Sequence, residues 1–200
     1  MRHIEACRIS LLLLLIFSIG CSHKEGTLQT ITHAQFKSFV DETHYITDAE
    51  KFGWSFVQED VYNFRVVQDA TWRLPDGQSP PASPQLPVTQ VSYNDAIAYC
   101  QWAKVSLPTY QDYWEYIQTD SRKVVSENNA PISEVDKVNV LGNVWDITQT
   151  TLGDSTRLAG GSLFCSKYSC HGTVKERELY VDKQTGNIHI GFSVIVYPKK

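Results

Sequence analysis

The chain is 200 residues long, 42% apolar and 12% aromatic, a composition that fits one globular domain with an ample core. Eighteen basic and twenty-two acidic side chains leave a net charge of −4, which argues against a nucleic-acid binder or a partner of anionic membranes. No apolar run approaches the roughly 18 residues that a membrane-crossing helix needs, and collagen, coiled coil and wholesale disorder are excluded by composition.

The first segment reads as an address. Arg2 and Arg8 precede the apolar run Leu11–Phe17, followed by Ser18-Ile19-Gly20-Cys21. The pattern predicts a lipoprotein-type signal peptide over residues 1–20 and lipidation of Cys21. The expected location is the bacterial cell envelope, exported and membrane-anchored, with ordinary secretion as the alternative. Residues 21–32 are expected to be a tether and residues 33–200 the folded domain. Among the remaining cysteines, Cys100, Cys165 and Cys170, an odd number suggests one pair and one singleton. Cys100 reads as a buried free thiol on its helix.

Phe36, Phe39 and Val40, at helical spacing, predict a short amphipathic helix over His33–Thr43. Lys51–Val57 reads as an irregular loop or short strand, and Asn63–Val67 as a strand. Pro75–Pro87 holds five of the eight prolines and is a loop. Ser92 with Asp95, and Thr109 with Asp112, have the form of capping boxes that start two helices. Gln118–Lys137 is a polar, exposed connection. Beyond Leu141, β-type runs (Val144–Ile147, Arg157–Phe164, Ile188–Val196) alternate with glycine-rich turns. The class expected is α+β, loop-rich, with short helices and small antiparallel sheets.

Two constellations carry chemistry. Cys165 and Cys170, five apart behind Gly160-Gly161-Ser162, need a bend to bring their thiols together. Paired, they form either a disulfide or a soft two-thiolate site suited to Cu(I), with too few ligands for structural zinc. His171, adjacent to Cys170, is a weaker candidate for a third ligand or proton carrier. No Ser-His-Asp order, phosphate loop or paired-carboxylate motif stands out.

The ordered set Val88–Ala103, Leu107-Pro108-Thr109, Tyr113-Trp114-Glu115-Tyr116, Leu141-Gly142-Asn143-Val144-Trp145-Asp146, Gly160-Gly161-Ser162 and Ile190-Gly191-Phe192 resembles the formylglycine-generating enzyme, or sulfatase-modifying factor, family. Glu50-Lys51-Phe52-Gly53, Ser55-Phe56-Val57 and Trp72–Gly77 agree with it. The resemblance implies a C-type-lectin-like fold, shortened at its N-terminus, and a copper-dependent oxidase that converts a cysteine in exported sulfatases to formylglycine. The substrate would be a Cys-x-Pro-x-Arg segment. Cys165 and Cys170 would hold Cu(I), while Ser162 and Trp145 would line the site. Trp145 reads equally well as a core indole. Asn139, Gly142, Val144 and Asp146 match a family calcium site; an Asx-type turn with a surface carboxylate is the alternative. The rival function on the same fold is a non-catalytic lipoprotein module that binds a protein or glycan.

Overall fold

A computed structural model of the chain describes residues 26–60, 62–119, 131–135, 141–165 and 178–198. The signal segment, Cys21, Asn139, Cys170 and His171 lie outside the described residues. Among the described residues, no helix is long and apolar enough to cross a membrane.

The core is built on β7 (Ile190–Val196), whose residues are buried except at its last position, because helices and loops cover both of its faces. It pairs antiparallel with β1 (Thr27–Thr30) on one side and parallel with β4 (Trp145–Leu152) on the other. β4 turns at Gly153 into β5 (Ser155–Ala159), and β6 (Tyr180–Asp182) closes a five-stranded sheet of order β1-β7-β4-β5-β6. β1 corrects the expected tether, since residues 27–30 are a sheet edge. One apolar residue, Leu28, is too little signal for a strand, and the pairing comes from β7.

Three longer helices pack on this sheet and a short one against the separate strand Trp54–Gln58, and each begins with a reciprocal cap. Thr32 and Gln35 start α1 (His33–Thr43), Thr47 and Glu50 start α2 (Asp48–Phe52), and Ser92 and Asp95 start α3 (Tyr93–Ala103). At α4 (Tyr110–Thr119), the Asp112 amide donates to Thr109 Oγ1 at 3.1 Å, and the Thr109 amide donates to Asp112 Oδ2 at 3.3 Å. The strand alternative for Lys51–Val57 holds over Trp54–Val57, and only Lys51 and Phe52, which end α2, depart from that reading. Five residues are too few to show helical periodicity, so the Thr47/Glu50 cap was the only signal to find. α1 and α3 meet β7 through interlocked rings, with Phe36 6.3 Å and Tyr99 5.4 Å from Phe192. Cys100 is free and buried in this core, and burial pushes its thiol up to about 12.

A separate hairpin joins β2 (Trp54–Gln58) to β3 (Phe64–Gln68). Its turn is held by Asp60 Oδ1, which accepts from the amides of Tyr62 and Asn63 at 2.7 and 2.9 Å. Phe56 bridges to Asn187, so the hairpin end lies against the loop entering β7. Within the connection read as exposed, Ser133 and Asn143 exchange two 2.9 Å hydrogen bonds, which tie Pro131–Val135 to the segment leading into β4.

Candidate functional site

A cavity of about 220 Å³ is walled by the end of β2, the start of β4, β5 with the loop after it, β6 and the loop entering β7. β4 contributes Trp145, the loop contributes Ser162 and Phe164, the β7 approach contributes Asn187 and His189, and β2 contributes Gln58. None of its ten lining residues is acidic or is lysine or arginine.

The loop conformation follows from its glycines. Gly160 and Gly161 take φ of +88° and +79°, a region that L side chains enter at a cost. At Gly160 a β-carbon would lie 2.3 Å from the Tyr113 hydroxyl. The reversal then closes with the Cys165 amide donating to the Ser162 carbonyl at 2.8 Å, and the Leu163 amide donating to the Asn143 carbonyl at 3.0 Å. Ser162 and Cys165 therefore sit on one tight turn, of which Ser162 and Phe164 line the cavity.

Ser162 is fully buried, and its Oγ lies 2.9 Å from His189 Nδ1. His189 is itself buried with Phe164 edge-on to its ring, and desolvation lowers its pKa to about 3. The imidazole is neutral at physiological pH, so the Ser–His pair is an uncharged polar corner in a largely apolar pocket. Trp145 satisfies both of its sequence readings: it belongs to the core cluster and lines the cavity. Its amide donates to the His189 carbonyl at 2.9 Å, which fixes β4 against the β7 approach.

Cys165 is 2% exposed and disulfide-bonded, its partner lying outside the described residues. In this state it offers no thiolate. Reduction is required before it can act as a soft donor for Cu(I).

Of the expected calcium set, Gly142, Val144 and Asp146 follow one another into β4. The Asp146 side chain is not a surface carboxylate. It is 1% exposed, Ser193 Oγ donates to its Oδ1 at 2.6 Å, and the Tyr113 hydroxyl also bonds to it. Burial outweighs those bonds and raises its pKa to about 7. A carboxyl buried and committed to two hydroxyls is a poor cation ligand.

Sequence reasoning missed His189, Asn187 and Gln58. His189 immediately precedes Ile190-Gly191-Phe192, a continuous apolar run that signals a strand buried on both faces. A histidine at the mouth of such a run enters the interior with it.

An α+β domain with small sheets, short capped helices and a cavity built on the loops between them defines the formylglycine-generating-enzyme-like class of fold. Among solved structures, PvdO from Pseudomonas aeruginosa superimposes with a TM-score of 0.55 at 12% identity, over 85% of this chain and 78% of that one. Residues 27–119 match the model of the sulfatase-modifying factor enzyme 1-like domain. It is 40% identical over 104 residues to the formylglycine-generating enzyme of Bos taurus, covering 43% of this chain and 28% of the relative. It is equally 40% identical over 103 residues to the inactive C-alpha-formylglycine-generating enzyme 2 of Mus musculus, covering 43% of this chain and 33% of the relative. The Mycobacterium tuberculosis formylglycine-generating enzyme aligns over 84% of this chain and 85% of its own length at 24% identity. The chain thus spans about a third or less of the first two relatives. The family match ends at residue 119, before every cavity residue except Gln58.

Proposed function

We propose that this protein is an oxidase of the formylglycine-generating type, anchored at the bacterial envelope through Cys21 and acting on a cysteine in exported sulfatases. The observation that supports this reading is the single turn that ties Cys165 to Ser162, whose hydroxyl lines an uncharged cavity beside Trp145. Copper(I), held by reduced Cys165 and Cys170, would supply the activation of dioxygen. The chain's own residues do the rest. Reduction of the Cys165 disulfide frees a thiolate on the turn that carries Ser162 and Phe164 into the cavity. The pocket, about the size of a few side chains, admits the substrate cysteine and excludes bulk water. His189 holds the Ser162 hydroxyl in one orientation, and the Trp145 indole limits how far the guest side chain can move. Overall, the substrate CH₂–SH and dioxygen, with two electrons and two protons from an external thiol reductant, give the aldehyde, hydrogen sulfide and water.

A second reading, a non-catalytic module on the same fold, is favoured by one observation: Ser162 is sealed and Cys165 is oxidised and nearly inaccessible. The equal similarity to a relative named inactive leaves room for it.

The deciding test reduces the full-length protein, loads Cu(I), and incubates it in air with a Cys-x-Pro-x-Arg peptide. Mass spectrometry then looks for the peptide aldehyde as its oxime. The expected result is conversion by the parent and none by Cys165→Ser or Cys170→Ser. Tight, cysteine-dependent copper binding without conversion would redirect the chemistry to another thiol; absence of both would leave the non-catalytic module.

A further inference from the structure

The hairpin that borders the cavity carries an exposed aromatic row that nothing in the core requires. Alternation along paired strands puts Trp54, Phe56 and Gln58 of β2 on one face with Phe64, Val66 and Gln68 of β3, in the register Trp54–Gln68, Phe56–Val66 and Gln58–Phe64. Phe52, at the end of α2, extends the face. The rings touch in sequence: Phe64 to Phe56 at 5.5 Å, Phe56 to Trp54 at 5.5 Å, and Trp54 to Phe52 at 5.8 Å. Phe64 is 64% exposed, Val66 53% and Phe52 44%. The opposite face is the buried one, where Val57 and Val67 pack with Ala70. A contiguous apolar strip of this kind on a folded domain marks a binding surface.

We infer that this strip is the docking track for the uncharged, extended stretch of polypeptide that flanks the substrate cysteine. The inference deepens the proposed oxidase and rests on that reading. Two features select this occupant. The first is continuity with the cavity: Gln58 both lines the cavity and stands opposite Phe64 on the strip, so one end of the row opens at the pocket. A chain lying along the rings delivers its next side chain to Trp145 and Ser162. The second is charge. The face holds only aromatic, aliphatic and amide side chains. The Arg65–Glu59 ion pair involves a β3 residue from the alternate set, which leaves nothing on the strip to match an acidic or basic partner. The geometry also fits an extended chain. Side chains on one face of a strand repeat about every 6.6–6.8 Å, close to the ring spacing, so the row accommodates about five residues.

The test uses the full-length protein in lipid nanodiscs and two fluorescein-labelled twelve-residue peptides whose cysteine is replaced by serine. One carries leucine at alternate flanking positions and the other glutamine. Phe64→Ser and Val66→Ser change exposed side chains and leave the core intact, and circular dichroism checks their fold. By fluorescence anisotropy, the parent is expected to bind the leucine peptide at least tenfold more tightly than the glutamine peptide. Phe64→Ser and the double variant are expected to lose about tenfold for the leucine peptide only. Equal affinity in parent and variants would overturn the inference. So would finding that the variants' main effect is loss of self-association in sedimentation, which assigns the face to a second copy. Loss of partitioning onto phosphatidylcholine vesicles with unchanged peptide binding would overturn it in favour of the membrane. Because these peptides lack the cysteine, binding is read without chemistry. Peptide aldehyde formation that ignores Phe64→Ser sinks the track alone, whereas track-dependent binding without any aldehyde sinks the oxidase alone.

Discussion

Replacing Gly160 with alanine tests the reason for the glycine pair ahead of Ser162. Two costs add. An L residue in the left-handed region costs about 1–2 kcal/mol. The new methyl would lie 2.3 Å from the Tyr113 hydroxyl and 3.2 Å from its ring carbon, so Tyr113 must move away from the Asp146 carboxyl it bonds. Losing that bond at a fully buried acid costs about 1.5–3 kcal/mol. Together the substitution destabilises by about 2.5–5 kcal/mol, which for a domain of this size lowers Tm by about 5–20 °C. Gly153→Ala is the control: its φ is +55° and no atom lies within 4 Å of the added carbon, so only the backbone cost of about 1–2 kcal/mol applies. Tyr113→Phe removes the clashing oxygen, so the Gly160→Ala/Tyr113→Phe double variant should lose less than the two single losses combined. Urea unfolding of the parent and these four variants measures all of this. If Gly160→Ala costs no more than Gly153→Ala, the close approach does not constrain the turn and the reasoning fails.

Ser162→Ala should cost about 1–3 kcal/mol by stranding a buried imidazole nitrogen, and His189→Leu should add little to it; additive losses in the double-mutant cycle would show that the 2.9 Å contact is not a working bond. The buried acid Asp146, raised to about 7, holds its proton more tightly in the folded than in the unfolded chain. Its contribution therefore falls as pH rises from about 4 through 7, and Asp146→Asn should gain on the parent in urea midpoint across that range; a constant difference would contradict this. His189, lowered to about 3, has the opposite sign, so acid lability between about pH 6.5 and 3 should ease in His189→Asn as judged by the same midpoints. Cys100, buried and pushed up to about 12, should resist a thiol-reactive dye in the native protein at pH 8 and react only on unfolding; prompt native labelling lost in Cys100→Ala would refute its burial.

Local chemistry was legible wherever a few neighbouring residues settle the matter. Ser92 with Asp95 and Thr109 with Asp112 start their helices as their spacing dictates, because a capping box is satisfied within one turn. Phe36, Phe39 and Val40 face inward, and α1 runs over the residues their spacing indicated. The order of short motifs pointed to the family whose model matches residues 27–119, and glycine-rich turns were expected between the runs beyond Leu141. What the sequence left open was decided by partners distant along the chain. Asp146 reads as a loop carboxylate suited to a cation, but Ser193 and Tyr113, from β7 and α4, turn it into an internal acceptor. Residues 27–30 carry almost no strand signal alone and become β1 only because β7 presents an open edge. Ser162 and His189 stand 27 residues apart, yet sheet packing brings them to 2.9 Å. Hydrogen bonds within a turn are encoded where they form. Burial, and with it the charge state of every buried group, belongs to the assembled core.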